Sequence, residues 1–171
     1  IEPFNSVSVL YKLHPEDEWR QGVIQMRDDF ENQKYELLQL RAGHWPSAKD
    51  EVAVERMAAQ FLNIGIGDSV IFKINDKERI LPITGLIRHP FVPPPQFQDL
   101  AFFFMDSEGM ERLDIPVGKF TSFYARATPY SADYAKEVAT AIKSKLAKQD
   151  ISVAAFVYED PNKHWGRAFF D

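Results

Sequence analysis

Between Leu40 and Asp68 the chain reads LRAGHWPSAKDEVAVERMAAQFLNIGIGD, and the punctuation of this stretch leaves few ways to fold it. Tyr35 to Arg41 alternates as a strand does. Gly43 then admits a bend whose φ need not be negative, and Pro46 stops the strand from continuing. Glu51 to Glu55 predicts a short strand, while Met57, Ala58, Phe61 and Leu62 recur at the spacing of one helical face. Gly65 and Gly67 are expected to end that helix as left-handed caps, and Asp68 falls where a turn needs a side chain that bonds its own backbone. Gly43, Trp45, Pro46, Gly65, Gly67 and Asp68 are therefore read as structural positions. Trp45 is the packing anchor of the bend, since a mostly buried indole contributes large apolar area.

The flanking sequence supplies more strands than helices. Val7, Val9, Tyr11 and Leu13 fall on one face of a half-buried strand. His14-Pro15-Glu16-Asp17-Glu18 is read as a helix start, with Gly22 limiting its length. Asn75-Asp76-Lys77 separates Ser69–Ile74 from Arg79–Ile87, and an Asn-Asp pair tolerates the left-handed φ of a hairpin turn, so these strands should pair antiparallel. Ala101 to Met105 is a fully apolar strand, after which Asp106 or Ser107 caps a short helix through Leu113. Ser122 to Arg126 is the next strand. Ser131 to Lys148 predicts a capped amphipathic helix with Ala135, Val138, Ala139, Ile142 and Leu146 as its stripe. Ser152 to Tyr158 predicts a final strand and completes a strand, helix, strand unit.

Composition narrows the function. With 171 residues, 45% hydrophobic and 26% charged, the chain can bury a good core. A net charge of -5 argues against a nucleic-acid surface, which needs a concentrated basic face. The absence of cysteine excludes disulfides, a thiol nucleophile and thiolate metal ligands. No apolar run approaches the roughly 18 to 20 residues of a membrane helix, and a first residue that is Ile1 suggests a segment excised from a longer protein.

The ordered set Gly43-His44-Trp45-Pro46, Asp50-Glu51-Val52-Ala53-Val54, Asn63-Ile64-Gly65-Ile66-Gly67-Asp68 and Pro82-Ile83-Thr84-Gly85-Leu86-Ile87 resembles the extracytoplasmic core domain of MacB-like and FtsX-like ABC transporter permeases. In that family His44 is more often arginine, and Asn63-Ile64 is more often Leu-Gly. The resemblance implies an α+β fold in which a split porter-like lobe, 1–34 plus 114–160, carries a β-rich sabre-like insertion, 35–113, while 161–171 approaches a membrane helix. It also implies a non-enzymatic extracytoplasmic domain. The implied partners are a second permease subunit, a separate cytoplasmic ATPase coupled through the membrane helices, and an envelope protein or a peptide or lipid-linked substrate. The alternatives are a freestanding peptide- or protein-binding module, and a hydrolase assembled from separated acids such as Asp28 and Glu51.

No residue pattern supplies catalysis. His14, His44, His89 and His164 are dispersed, with no His-x-x-x-His spacing, and Gly65-Ile66-Gly67 lacks the third glycine and the helix start of a dinucleotide loop. Without a Walker A sequence, ATP hydrolysis in an ABC system must occur elsewhere, and no cofactor or metal is expected. Glu16-Asp17-Glu18 and Asp28-Asp29 read as solvated surface. The segment His89 to Gln98 is incompatible with helix or central strand because its prolines remove donors and favour polyproline II. A loop stiffened in this way loses little entropy on binding, which makes Phe91, Val92, Pro94 and Phe97 the contact candidates. The sequence leaves open whether Phe91 and Phe97 instead tuck back as loop anchors.

Overall fold

The computed structural model describes residues 1–48, 50–97, 99–113 and 120–160. It divides into two units, Ile1–Tyr124 and Ala125–Asp171. Among the described residues the first holds eight strands: β1 (Glu2–Lys12), β2 (Arg20–Met26), β3 (Gln39–Gly43), β4 (Val52–Glu55), β5 (Ser69–Ile74), β6 (Lys77–Arg88), β7 (Ala101–Met105) and β8 (Ser122–Tyr124). Two short helices accompany them, α1 (Arg56–Leu62) and α2 (Ser107–Arg112). The second unit holds α3 (Ala132–Ala147).

Six of the strands close on themselves. β1 pairs antiparallel with β2, β2 parallel with β7, β7 antiparallel with β4, β4 parallel with β6, β6 antiparallel with β5, and β5 antiparallel with β1. Closure removes the edges that an open sheet would expose. Alternation then decides what lies inside. Val9 and Tyr11 of β1, Ile24 and Met26 of β2, Val52 and Val54 of β4, Val70 and Phe72 of β5, Leu81 and Ile83 of β6 and Phe103 and Met105 of β7 share one core, joined by Ala58 and Ala59 of α1 and Met110 of α2. Phe103 is central, with the Phe72 and Tyr11 rings edge-on to it at 4.9 and 5.1 Å. The outward residues of β4, β6 and β7 are buried too. Ala53, Ile87 and Phe104 form a second cluster with Phe30 and Leu38, against which Trp45 packs, so the segment between β2 and β4 covers that face. This double burial is why β7 reads as an unbroken apolar run.

The expected partition into two lobes does not hold at β1. Lobes of 1–34 plus 114–160 and of 35–113 would keep Val7 to Leu13 out of the Glu51–Ile87 sheet, yet Leu10, Tyr11 and Lys12 pair with Lys73, Phe72 and Ile71 of β5. The expected company of β1 and the Ser122 strand is found, because Glu2, Pro3 and Phe4 pair with Tyr124, Phe123 and Ser122. One strand thus serves both partners from its two ends. No helix follows His14. A turn closes there, with the His14 amide donating to Asp17 Oδ2 at 2.9 Å, and β2 begins at Arg20. Gly22 lies within that strand, where a Cβ would come 3.0 Å from the Tyr11 ring and 3.2 Å from Phe103. It makes room for the aromatic core and ends no helix.

Other elements fall close to expectation. The hairpin turn of β5 and β6 holds Asn75 and Asp76 at φ 49° and 61°. α2 is capped by Asp106, which accepts from the Gly109 amide. α1 starts on the buried Glu55 carboxylate, which accepts from Met57 and Ala58. Its left-handed cap is Asn63, φ 54°, and neither Gly65 nor Gly67. Gly67 instead serves the following turn at φ 95°, where Asp68 accepts from the Gly65 amide at 2.8 Å. The β3 strand is displaced toward Gly43, since Tyr35 and Glu36 have their carbonyls drawn to Arg27 and Glu36 has a φ of 43°.

In the second unit Ser131 caps α3, and Ala135, Val138, Ala139, Ile142 and Leu146 are its most covered residues, as the period requires. The strand expected over Ser152 to Tyr158 is absent. Its β-branched and aromatic residues have the right propensity, but no ladder forms among the described residues and Val157 is 86% exposed. The stretch 161–171, read from the sequence as nearing a membrane helix, and His164 within it lie outside the described residues. Among the described residues no helix is long and apolar enough to cross a membrane.

Candidate functional site

The proline-rich connection from β6 to β7 is an ordered loop. The Phe97 amide donates to the Pro94 carbonyl at 3.0 Å and the Asp99 amide to the Pro95 carbonyl at 2.7 Å, which winds Pro95–Phe97 into a 3-10 turn. α1 packs against that turn. The contact candidates separate by exposure. Phe91, Val92 and Pro94 are half-buried, Pro95 is buried, and Phe97 is 80% exposed. Phe91 is anchored, its ring centred 6.4 Å from that of His89.

His89 ties this loop to a buried polar cluster. Its Nδ1 accepts the Phe91 amide N–H at 3.1 Å, so the imidazole proton lies on Nε2, 3.5 Å from Glu36 Oε2. The Tyr124 hydroxyl donates to the same carboxylate oxygen. Arg27, with a side chain 2% exposed, donates to Glu2 Oε1 at 2.9 Å, Gln33 Oε1 at 3.2 Å, the Tyr35 carbonyl at 2.9 Å and the Glu36 carbonyl at 3.3 Å. Glu2 Oε2 in turn accepts from the amides of Lys34 and Tyr35 at 2.7 and 3.1 Å. The cluster therefore joins β1, β2, the covering segment, the end of β6 and β8. Its members are dispersed in sequence, so no local motif marks them. The one available signal is an arginine directly following the apolar end of β2, a place where a charge must find buried partners.

Burial pushes the Glu36 carboxyl up, but hydrogen bonds from His89 and Tyr124 and the charges of His89 and Arg27 outweigh it and hold the group below its ordinary range. A depressed folded-state pKa contributes stability that is present above the unfolded value and is lost as pH falls through the folded one. The stability difference between the wild type and Glu36→Gln is thus expected to shrink as pH falls below the ordinary carboxylate range. Urea unfolding at a series of acidic pH values checks this, and a pH-independent difference would contradict it.

Two of the acids weighed in the sequence, Glu51 and Asp29, have structural partners. Glu51 accepts from the Ser47 amide at 3.0 Å and closes the turn before β4. Asp29 accepts from the amides of Glu31 and Asn32, both at 2.9 Å. Among the described residues no hydrogen bond brings Asp28 and Glu51 together. Trp45 is half-buried and stacks on Phe30 at 5.1 Å with an interplanar angle of 7°, as an anchor does. Pro46 is buried beside it. Gly43 and Gly85 are cross-strand partners of β3 and β6, and a Cβ on either would strike backbone, at 2.1 Å from the Thr84 carbonyl and 2.3 Å from that of His44 respectively.

No family model matches the sequence, and a search of curated proteins by sequence finds no match. Solved structures do resemble it. The extracellular domain of the noncanonical ABC-type transporter YknZ from Gram-positive bacteria superposes with a TM-score of 0.54 at 13% identity, covering 90% of this chain and 77% of that one. A domain of a protein described as a permease from Porphyromonas gingivalis gives 0.45 at 10% identity over 85% and 70%, too low to bear on the fold. The chain shares the fold of that extracellular domain of an ABC-type transporter.

Proposed function

We propose that the chain is a non-enzymatic extracytoplasmic domain of a MacB-like or FtsX-like ABC permease. It moves with a permease dimer driven by a separate cytoplasmic ATPase, and it transmits that motion to export, to lipoprotein release or to an envelope partner. The observation that carries the reading is the fold likeness over 90% of the chain, which coincides with the ordered Gly-x-Trp-Pro to Gly-Asp pattern found in the sequence. Apolar spans of about 20 residues on both flanks of the gene are the expected context. Flanks without them would favour a freestanding binding module.

Within this reading the proline loop is the contact surface for a protein, peptide or lipid-linked partner, with Phe97 as its displayed residue and Phe91, Val92 and Pro94 as its support. Phe97→Ser is expected to change folding stability by less than about 0.5 kcal/mol, as exposed positions do, while impairing partner engagement or transport by the full-length permease. Phe91→Ser, which removes a half-buried ring, should instead lower the melting temperature. Normal transport by the Phe97 variant would remove the loop from the proposal without touching the permease reading.

A further inference from the structure

Among the described residues the polar cluster has one more carboxylate than permanent cation: Arg27 carries the positive charge, and Glu2 and Glu36 are the carboxylates, 2.9 and 3.9 Å from the guanidinium. His89 is the remaining group able to carry charge there, and it is 8% exposed, with Nε2 already facing Glu36. Its other nitrogen is committed as an acceptor, because Nδ1 takes the Phe91 amide N–H. An imidazole cannot keep that bond and gain a proton. Protonation turns Nδ1 into a donor, sets it against the N–H of Phe91, and converts the Nε2 contact into a charge-assisted pair with Glu36.

We propose that His89 is a proton-operated latch on the proline loop. The neutral imidazole holds the loop's root through Phe91, and the protonated one balances the charge of the Glu2–Arg27–Glu36 cluster and lets the root go. The proton comes from solvent and enters at Nδ1, and no other bond need change. The groups facing His89 decide the balance. Glu36 of the covering segment favours the cation, and Glu2 of β1 supports it through Arg27. Arg27, directly after β2, opposes it, and the Tyr124 hydroxyl of β8 competes for the same Glu36 oxygen. The surrounding rings of Phe91, Phe102 and Phe104, centred 6.3 to 6.4 Å away, offer no alternative partner for the displaced Phe91 amide.

Glu36 is itself built for this task. Its backbone has φ 43°, a left-handed conformation unfavourable for glutamate, in a place where its carboxylate meets Tyr124, Arg27 and His89. Against the pull of burial, hydrogen bonds and neighbouring charges hold its carboxyl below the ordinary range, so an anion awaits the imidazolium. The latch is independent of the permease reading, since it concerns only the link from His89 to the loop.

The test is nuclear magnetic resonance on the isotope-labelled chain at pH 8 and pH 5. At pH 8 the His89 ring nitrogens should report an unprotonated Nδ1. At pH 5 both should be protonated, and the Phe91 amide protection factor, corrected for intrinsic exchange, should fall about tenfold while the amides of β7 keep theirs. His89→Gln offers an acceptor and a donor but no titration, so its Phe91 protection should not change with pH. A protonated Nδ1 at pH 8, a ring that takes up no proton by pH 5, or unchanged Phe91 protection while the ring titrates would each overturn the proposal. Should the glutamine variant fail to fold, the wild-type ring and amide signals decide alone.

Discussion

Arg27→Ala is expected to cost about 3 to 5 kcal/mol, a large share of the stability of an ordinary domain, because it removes one partner of a buried ionic network and strands the others. Glu2, the Gln33 amide oxygen and the carbonyls of Tyr35 and Glu36 would lose a donor whose own side chain is 2% exposed. Arg27→Lys should recover little of this, since a single ammonium cannot span acceptors that now use both terminal nitrogens of a planar fork. Adding Glu2→Gln to the alanine variant should recover part of the loss by removing a stranded carboxylate. Urea unfolding monitored by far-UV circular dichroism measures all three. A loss below about 1 kcal/mol for Arg27→Ala would show that the network contributes little, as exposed ion pairs do.

Gly43→Ala and Gly67→Ala should differ sharply although both glycines have positive φ. At Gly67, φ 95°, nothing lies within 4 Å of the added methyl, so the cost is the backbone term alone, about 1 to 2 kcal/mol. At Gly43, φ 73°, the methyl would also meet the Thr84 carbonyl at 2.1 Å and the Gly85 Cα at 3.1 Å, and neither is a side chain that can rotate away. β3 would have to part from β6, carrying the Trp45 bend with it. The expected loss is about 3 kcal/mol or more, the backbone term plus the cost of overpacking. Equal losses for the two variants in the same urea titration would show that β3 is free to shift.

What the sequence made legible follows the range of the interactions concerned. Periodicity within ten or fifteen residues marked β4 through β7, α1, α2 and α3, because the alternation of Val52 and Val54 or the stripe from Ala135 to Leu146 is written locally. The closed ring was not legible. Its parallel joints, β2 with β7 and β4 with β6, bring Ile24 to Phe103 and Val54 to Leu86, pairings with no local signature. β2 itself was hidden because Gly22 reads as a helix terminator until the Tyr11 and Phe103 rings beside it are known. The same limit hid the candidate site. Phe97 and its prolines announce themselves, but Glu2, Arg27, Glu36, His89 and Tyr124 are ordinary residues that only the folded chain makes neighbours.

The pairing of β8 with the first residues of β1 sets how the domain would answer a mechanical load. Glu2 lies opposite Tyr124, so the chain before one and the chain after the other leave the ladder at the same end. Drawing those two ends apart would unzip the pair one rung at a time, a weak geometry compared with shearing a ladder along its length. Among the described residues the β8 ladder runs over Glu2, Pro3 and Phe4, with Asn5 accepting from the Thr121 amide just before β8, whereas Asn5 to Tyr11 are held by β2. β8 would therefore peel first, giving up the stack of Phe4 on Tyr124 and the Tyr124 bond to Glu36, while the ring of six strands stayed shut. Under such a load this strand would act as a tear-away seam beside the closed ring.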